Sequence, residues 1–99
     1  MKSTAYFINN SRGPIVDEKA LIDVLKKNKI MGAGIDVFAE EPPAKDNPLF
    51  DLDNVVVTPH SAANTKNAMI GMAMVVDDII RILEGKKPKY PVNNPKKSA

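Results

Sequence analysis

Three short apolar runs, Ala5-Tyr6-Phe7-Ile8, Gly32 to Phe38 and Val55 to Thr58, constrain this chain more than any other feature. Each is nearly continuous in its hydrophobicity rather than alternating, the pattern of a strand buried on both faces. They are separated by long intervals, too long for tight hairpins, and the first interval carries a helical pattern. Strand, helix, strand, strand and helix in that order favour a parallel sheet covered on both faces. The expected fold class is therefore α/β, a partial Rossmann-like parallel sheet of about three strands with flanking helices and a long C-terminal helix.

The local signals agree with that order. Asn9-Asn10-Ser11-Arg12-Gly13-Pro14 is a cluster of turn residues that ends the first strand. Asp17 is a good N-cap and Glu18 suits a first helical turn; Ala20, Leu21, Val24 and Leu25 recur at helical spacing until Asn28 offers a stop. Glu40-Glu41-Pro42-Pro43 breaks the second strand and Pro59 the third. A long helix starts near Asn64 or Thr65, carries a stripe of Met69, Met72, Val76, Ile79 or Ile80, and Leu83, and ends at Gly85. That stripe is expected to face a core. Ile70 and Met74 lie beside it, read either as a wide core face or as a partner surface.

Composition excludes several classes. With 99 residues the chain can build one small core, and 43% apolar with 26% charged residues is ordinary for a globular protein. It has no cysteine and a single histidine, which argues against a disulfide framework and a zinc site. The start lacks a signal-peptide pattern and no apolar stretch is long enough for a bilayer, so cytoplasmic residence without a membrane partner is expected. The net charge of +2 is uneven, because five of the 14 basic residues, Lys86, Lys87, Lys89, Lys96 and Lys97, lie in the tail. Three prolines and no interleaved aromatic pattern favour a solvated arm over a nucleic-acid patch. The expected organisation is a domain part over 1–85 and a basic, proline-containing tail over 86–99.

In open parallel sheets, ligands gather beyond the carboxyl ends of the strands. Arg12 follows the first strand, Asp36 and Glu41 lie at and after the end of the second, and His60 follows the third. A histidine near neutral pKa can take and return a proton, while a neighbouring carboxylate orients the ring and favours its protonated form. Glu41 is a candidate for that carboxylate. Arg12 offers a planar fork for a substrate carboxylate. Taken singly, Arg12 also reads as a surface turn residue and Glu40-Glu41-Pro42 as an acidic loop; the joint placement is what points to a site.

The segments "INNSRGPIVDEKAL", "GAGIDVFAEEP" and "NVVVTPHSAANT", in this order and spacing, resemble the C-terminal part of the NAD-binding domain of D-isomer-specific 2-hydroxyacid dehydrogenases, of the phosphoglycerate or glycerate dehydrogenase-like kind. The resemblance covers Ala5 to about Gly85 and roughly the last third of a complete family member. It implies that Arg12 binds the substrate carboxylate, that Glu41 partners the histidine and that His60 is the acid/base. It further implies that Asp36 contacts the nicotinamide, against a competing reading in which it caps a turn. Asn10, Ser11, Arg12, His60, Ser61, Ala62 and Ala63 would line the nicotinamide pocket.

The implied reaction is hydride transfer between a D-2-hydroxy acid and its 2-oxo acid with NAD, or NADP, and the implied assembly is a homo-oligomer, usually a dimer. Two departures stand out: Ser61-Ala62-Ala63 follows the histidine where the family has at least one glycine, and Asn10 is bulkier than is common. A Gly-rich pyrophosphate turn is missing, since Gly32-Ala33-Gly34 leads into a strand rather than out of one. The expectation is a fragment whose remaining chain supplies the other half of the dinucleotide site and the substrate domain. The alternative is a non-catalytic remnant or assembly module that folds or oligomerises without binding NAD alone.

Overall fold

A computed structural model describes residues 1–93, and the chain divides into two compact units, Met1–Ala62 and Ala63–Ala99. The first unit holds a three-stranded parallel sheet of β1 (Tyr6–Asn9), β2 (Gly32–Ile35) and β3 (Val55–Val57), with β2 in the centre. Phe7, Ala33 and Val55 are in register across it, followed by Ile8, Gly34 and Val56. Because side chains alternate along a strand, these rows face opposite sides. The first row packs onto α1 (Glu18–Lys26), where Leu21 and Leu25 join Ile30, Ala33, Ile35, Phe38 and Leu49 in the core. The second row is bare: Ile8 is 73% exposed and Val56 69%. A sheet covered on both faces was expected; within the first unit α1 covers one face.

The ends of α1 follow from local chemistry. The Asp17 side chain accepts from the Ala20 N–H at 3.0 Å, satisfying one of the free donors of the first turn. At the other end Asn28 takes a left-handed φ of 49°, and the N–H groups of Asn28 and Lys29 close onto the carbonyls of Leu25 and Val24. The chain then turns directly into β2. Between β2 and β3 runs a segment with a single 3-10 turn, Pro48–Asp51, whose buried Leu49 anchors it to the core.

The second unit contains the expected C-terminal helix, as α2 (Lys66–Ala73) and α3 (Val75–Leu83), with the hydrogen-bond ladder interrupted at Met74, whose backbone stays right-handed helical. Thr65 caps its start by accepting from the Ala68 N–H, and Gly85, at a φ of 73°, ends it in the left-handed conformation that glycine adopts without cost. The expected buried stripe is not buried: Met69, Met72, Val76, Ile79, Ile80 and Leu83 are all exposed, and neither helix has a buried residue. The period identifies an apolar face but not its cover. Beyond the helix, Asp78 accepts from the N–H groups of Lys89 and Tyr90, tying the start of the basic tail back to α3. Pro95, Lys96 and Lys97 of that tail lie outside the described residues. No helix among the described residues is long and apolar enough to cross a membrane.

Candidate active site

All three strands run the same way, so their carboxyl ends share one edge of the first unit, and the polar residues that follow them meet there. The β1–α1 turn is built by Asn9, which is buried: its Oδ1 accepts from the Ser11 N–H at 3.2 Å and its Nδ2 donates to the Arg12 carbonyl at 3.0 Å. This Asx-type bonding sets the path of residues 10–12. Arg12 is exposed, and its Nη1 donates to the Ser11 carbonyl at 2.9 Å. Among the described residues the guanidinium has no ion-pair partner within 4 Å.

His60 and Glu41, 19 residues apart, are brought together. The ring Nδ1 lies 2.8 Å from Glu41 Oε2, while Oε1 accepts from the Phe38 N–H at 3.1 Å. The His60 hydrogen bond, the Phe38 N–H and the positive charges of His60 and Arg12 hold the Glu41 carboxyl below its usual range. An ionised Glu41 can only accept, so the proton on this ring edge belongs to Nδ1.

Asp36 organises the loop that carries the histidine. Its Oδ1 accepts from the Thr58 hydroxyl and from the Ser61 N–H at 2.9 Å, and its Oδ2 from the Ala62 N–H at 3.0 Å. The Thr58 hydroxyl first, then the two backbone N–H groups, lower its pKa from 3.8 to about 2. Between these anchors His60 adopts a φ of 52°, a left-handed conformation uncommon for a residue with a side chain. Asp36 thus ties Thr58, Ser61 and Ala62 of this turn together.

Two recesses flank the edge. One, of about 440 Å³, is walled by Glu41 and His60 together with Phe38, Pro42, Phe50 and Pro59. The other, of about 220 Å³, lies on the bare sheet face over Ile8, Gly34 and Val56, with Asn10, Asp36, Ser61 and Ala62 at its rim. Of the residues selected from sequence, the structure therefore brings Glu41 to His60, and groups Asn10, Asp36, Ser61 and Ala62. Ser11 and Arg12 stand on the neighbouring turn, and Ala63 begins the second unit. Asn9 and Thr58 were missed as organisers; an Asn closing an apolar strand just before Asn10-Ser11 is the signal for the former. Among the described residues no three metal-ligating side chains converge.

Residues 1–62 match the family model described as "D-isomer specific 2-hydroxyacid dehydrogenase, NAD binding domain". The chain is 44% identical over 96 residues to a D-3-phosphoglycerate dehydrogenase of Archaeoglobus fulgidus, covering 96% of this chain and 18% of that one. It is 50% identical over 94 residues to glyoxylate/hydroxypyruvate reductase B of Escherichia coli O1:K1, covering 94% and 29%. It therefore spans less than a third of the length of these relatives. A crystal structure of a D-isomer-specific 2-hydroxyacid dehydrogenase from Xanthobacter autotrophicus Py2, in complex with NADPH and MES, superposes with a TM-score of 0.77 at 40% identity. That match covers 94% of this chain and 38% of the other.

Proposed function

The chain belongs to the D-isomer-specific 2-hydroxyacid dehydrogenase family, and from that premise we propose that it is the catalytic-edge portion of an enzyme interconverting a D-2-hydroxy acid and a 2-oxo acid. The observation that carries this reading is the His60 Nδ1 to Glu41 Oε2 contact of 2.8 Å at the carboxyl edge of a parallel sheet. The nicotinamide end of a dinucleotide, NAD or NADP, would sit in the bare-face recess: Ile8, Gly34 and Val56 give an apolar floor, and the rim carries polar groups of Asn10, Asp36 and Ser61. When bound, it supplies or accepts the hydride.

The chain's own residues do the rest. Arg12 binds the substrate carboxylate through its guanidinium fork, which fixes the orientation of the adjacent carbonyl. In the direction of reduction, protonated His60 gives a proton from Nε2 to the carbonyl oxygen; in oxidation the same nitrogen takes it from the hydroxyl. Glu41 holds the ring from the opposite nitrogen and balances the imidazolium charge. Asp36 keeps the 60–62 loop in place at the recess. The glyoxylate and hydroxypyruvate named for the Escherichia coli relative are the first substrates to test. The setting proposed is cytoplasmic, with the remainder of the dehydrogenase chain and a second subunit as partners.

In a complete enzyme built around this segment, His60→Ala should lower turnover of these 2-oxo acids by roughly 100- to 10,000-fold, the usual contribution of proton transfer. Affinity for NADH should stay nearly intact. Unchanged turnover would make His60 structural and end this reading. A second reading, a chain that folds and associates without catalysing, is favoured by the uncovered apolar faces of β1, β3 and the C-terminal helix. It predicts no 2-oxo-acid reduction even in the completed enzyme.

A further inference from the structure

His60 and Glu41 meet because two loops are held in one register, and part of what holds them lies outside the site. Glu41 stands on the stretch between β2 and the Pro48–Asp51 turn, which contains no strand or helix of its own. Both ends of this stretch are gripped by one carboxylate from the first turn of α1. Glu18 Oε2 accepts from the Ala39 N–H at 2.8 Å, and Oε1 accepts from Asn47 Nδ2 at 3.0 Å. Asn47 is itself fixed, its Oδ1 accepting from the Leu49 N–H at 3.0 Å. Gly13 meets the same place from the turn that carries Arg12: a Cβ there would lie 1.7 Å from the Phe38 carbonyl oxygen and 2.6 Å from the Ala39 nitrogen. Only a hydrogen fits.

We propose that Glu18, seated beside Gly13, is the positioning residue of the acid/base pair: it touches neither substrate nor cofactor, but sets where Glu41 stands relative to His60 and Arg12. The proposal rests on the acid/base reading of His60 for its functional meaning. Its physical basis is independent of that reading. The Phe38 N–H that holds Glu41 Oε1 sits one residue before the Ala39 N–H that Glu18 holds, so the two carboxylates fix consecutive peptide groups. Releasing Ala39 and Asn47 leaves the segment held by the buried Phe38 and Leu49 that flank it and by the Phe38 N–H on Glu41 itself, so the approach of Glu41 to the ring loosens. An acid in the first turn of a helix also favours the helix dipole, and that role would make no demand on residue 47.

The polarity of the grip provides the test. Glu18→Gln turns an amide NH2 toward either the Ala39 N–H or Asn47 Nδ2, donor against donor. Combining Glu18→Gln with Asn47→Asp lets the new amide donate to the new carboxylate and still accept from Ala39, at unchanged net charge. The readouts are the Glu41 carboxyl titration by carbon NMR and the water exchange of the His60 Nδ1–H, both on this chain. Glu41 faces the charges of His60 and Arg12, which together with the two hydrogen bonds hold its titration low. Glu18→Gln should move that titration up toward the ordinary carboxylate range and speed the ring N–H exchange; the double substitution should restore both. Should Glu18→Gln fail to fold, Asn47→Asp alone gives the same shift by setting two carboxylates together, again relieved in the double variant. A Glu41 titration indifferent to these changes, or one that the double variant leaves displaced, overturns the proposal. Neither readout needs turnover, so a failure of the acid/base reading would show separately, as full activity in His60→Ala.

Discussion

Leu25→Ala probes the packing on which the site rests. Leu25 is 1% exposed, and with Leu21 it seats α1 on Ala33 and Ile35 of the central strand, whose end carries Asp36. Removing a fully buried leucine to alanine costs about 3–5 kcal/mol, the transfer term plus the cavity left behind. The first unit spans 62 residues, so its whole stability at about 0.05–0.15 kcal/mol per residue is about 3–9 kcal/mol. The substitution should therefore remove between a third and all of it. With a urea dependence near 1 kcal/mol/M for so small a unit, the midpoint falls by about 3–5 M or the unit is unfolded without urea. The Ser61 and Ala62 amide signals report this unit without interference from the C-terminal helix. Leu25→Met, which keeps the volume, should cost less than about 1.5 kcal/mol. A Leu25→Ala midpoint within about 0.5 M of the parent at equal slope would refute the packing described.

Asp36 gives the chain a defined acid limb. Its carboxyl, held by Thr58, Ser61 and Ala62, titrates at about 2 in the folded chain against an ordinary 3.8, so its contribution is fully present above the higher value and is lost as pH falls toward the lower. Asp36→Asn should flatten stability across that window, as read by acid titration of the Ser61 and Ala62 amides; an unchanged acid limb would contradict it. Arg12→Lys keeps the charge but loses the fork, so in a completed enzyme the KM for the 2-oxo acid should rise at least tenfold, roughly one charge-assisted hydrogen bond, with cofactor KM little changed. Equal loss of both would indicate a collapsed turn at Gly13-Pro14 instead.

What was legible in the sequence is what local chemistry decides. Asp17, Asn28, Thr65 and Gly85 mark helix ends because each acts on backbone groups within four residues of itself. The shared edge of the site followed from the parallel order of the strands, which places Arg12, Asp36 and His60 one to three residues past their ends. Burial was less legible. The stripe of Met69, Met72, Val76 and Ile79 has the period of a core face, yet period records which side is apolar and not what lies against it. The shared edge made Glu41 a candidate partner for His60, and the family resemblance singled it out; the stretch of 19 positions from one to the other carries no pattern that sets the approach of two loops. Glu18 was the least legible. As a first-turn acid its reading was complete without any partner, whereas its actual partners, Ala39 and Asn47, lie 21 and 29 residues away.

The central claim is that this edge binds a 2-oxo acid by its carboxylate and gives a proton to its carbonyl oxygen, holding the carbonyl carbon with one face open to the hydride that a bound dinucleotide would supply. The most direct measurement is reduction of hydroxypyruvate by a complete enzyme built around residues 1–93, with NADH and with NADPH, alongside hydroxyacetone, the matching methyl ketone that lacks the carboxylate. Chiral analysis of the product completes it. The account predicts turnover of the acid to the D-2-hydroxy acid, and at least a roughly 100-fold lower kcat/KM for the ketone, on the order of two charge-assisted hydrogen bonds to Arg12. An L product, or equal turnover of acid and ketone, would contradict it.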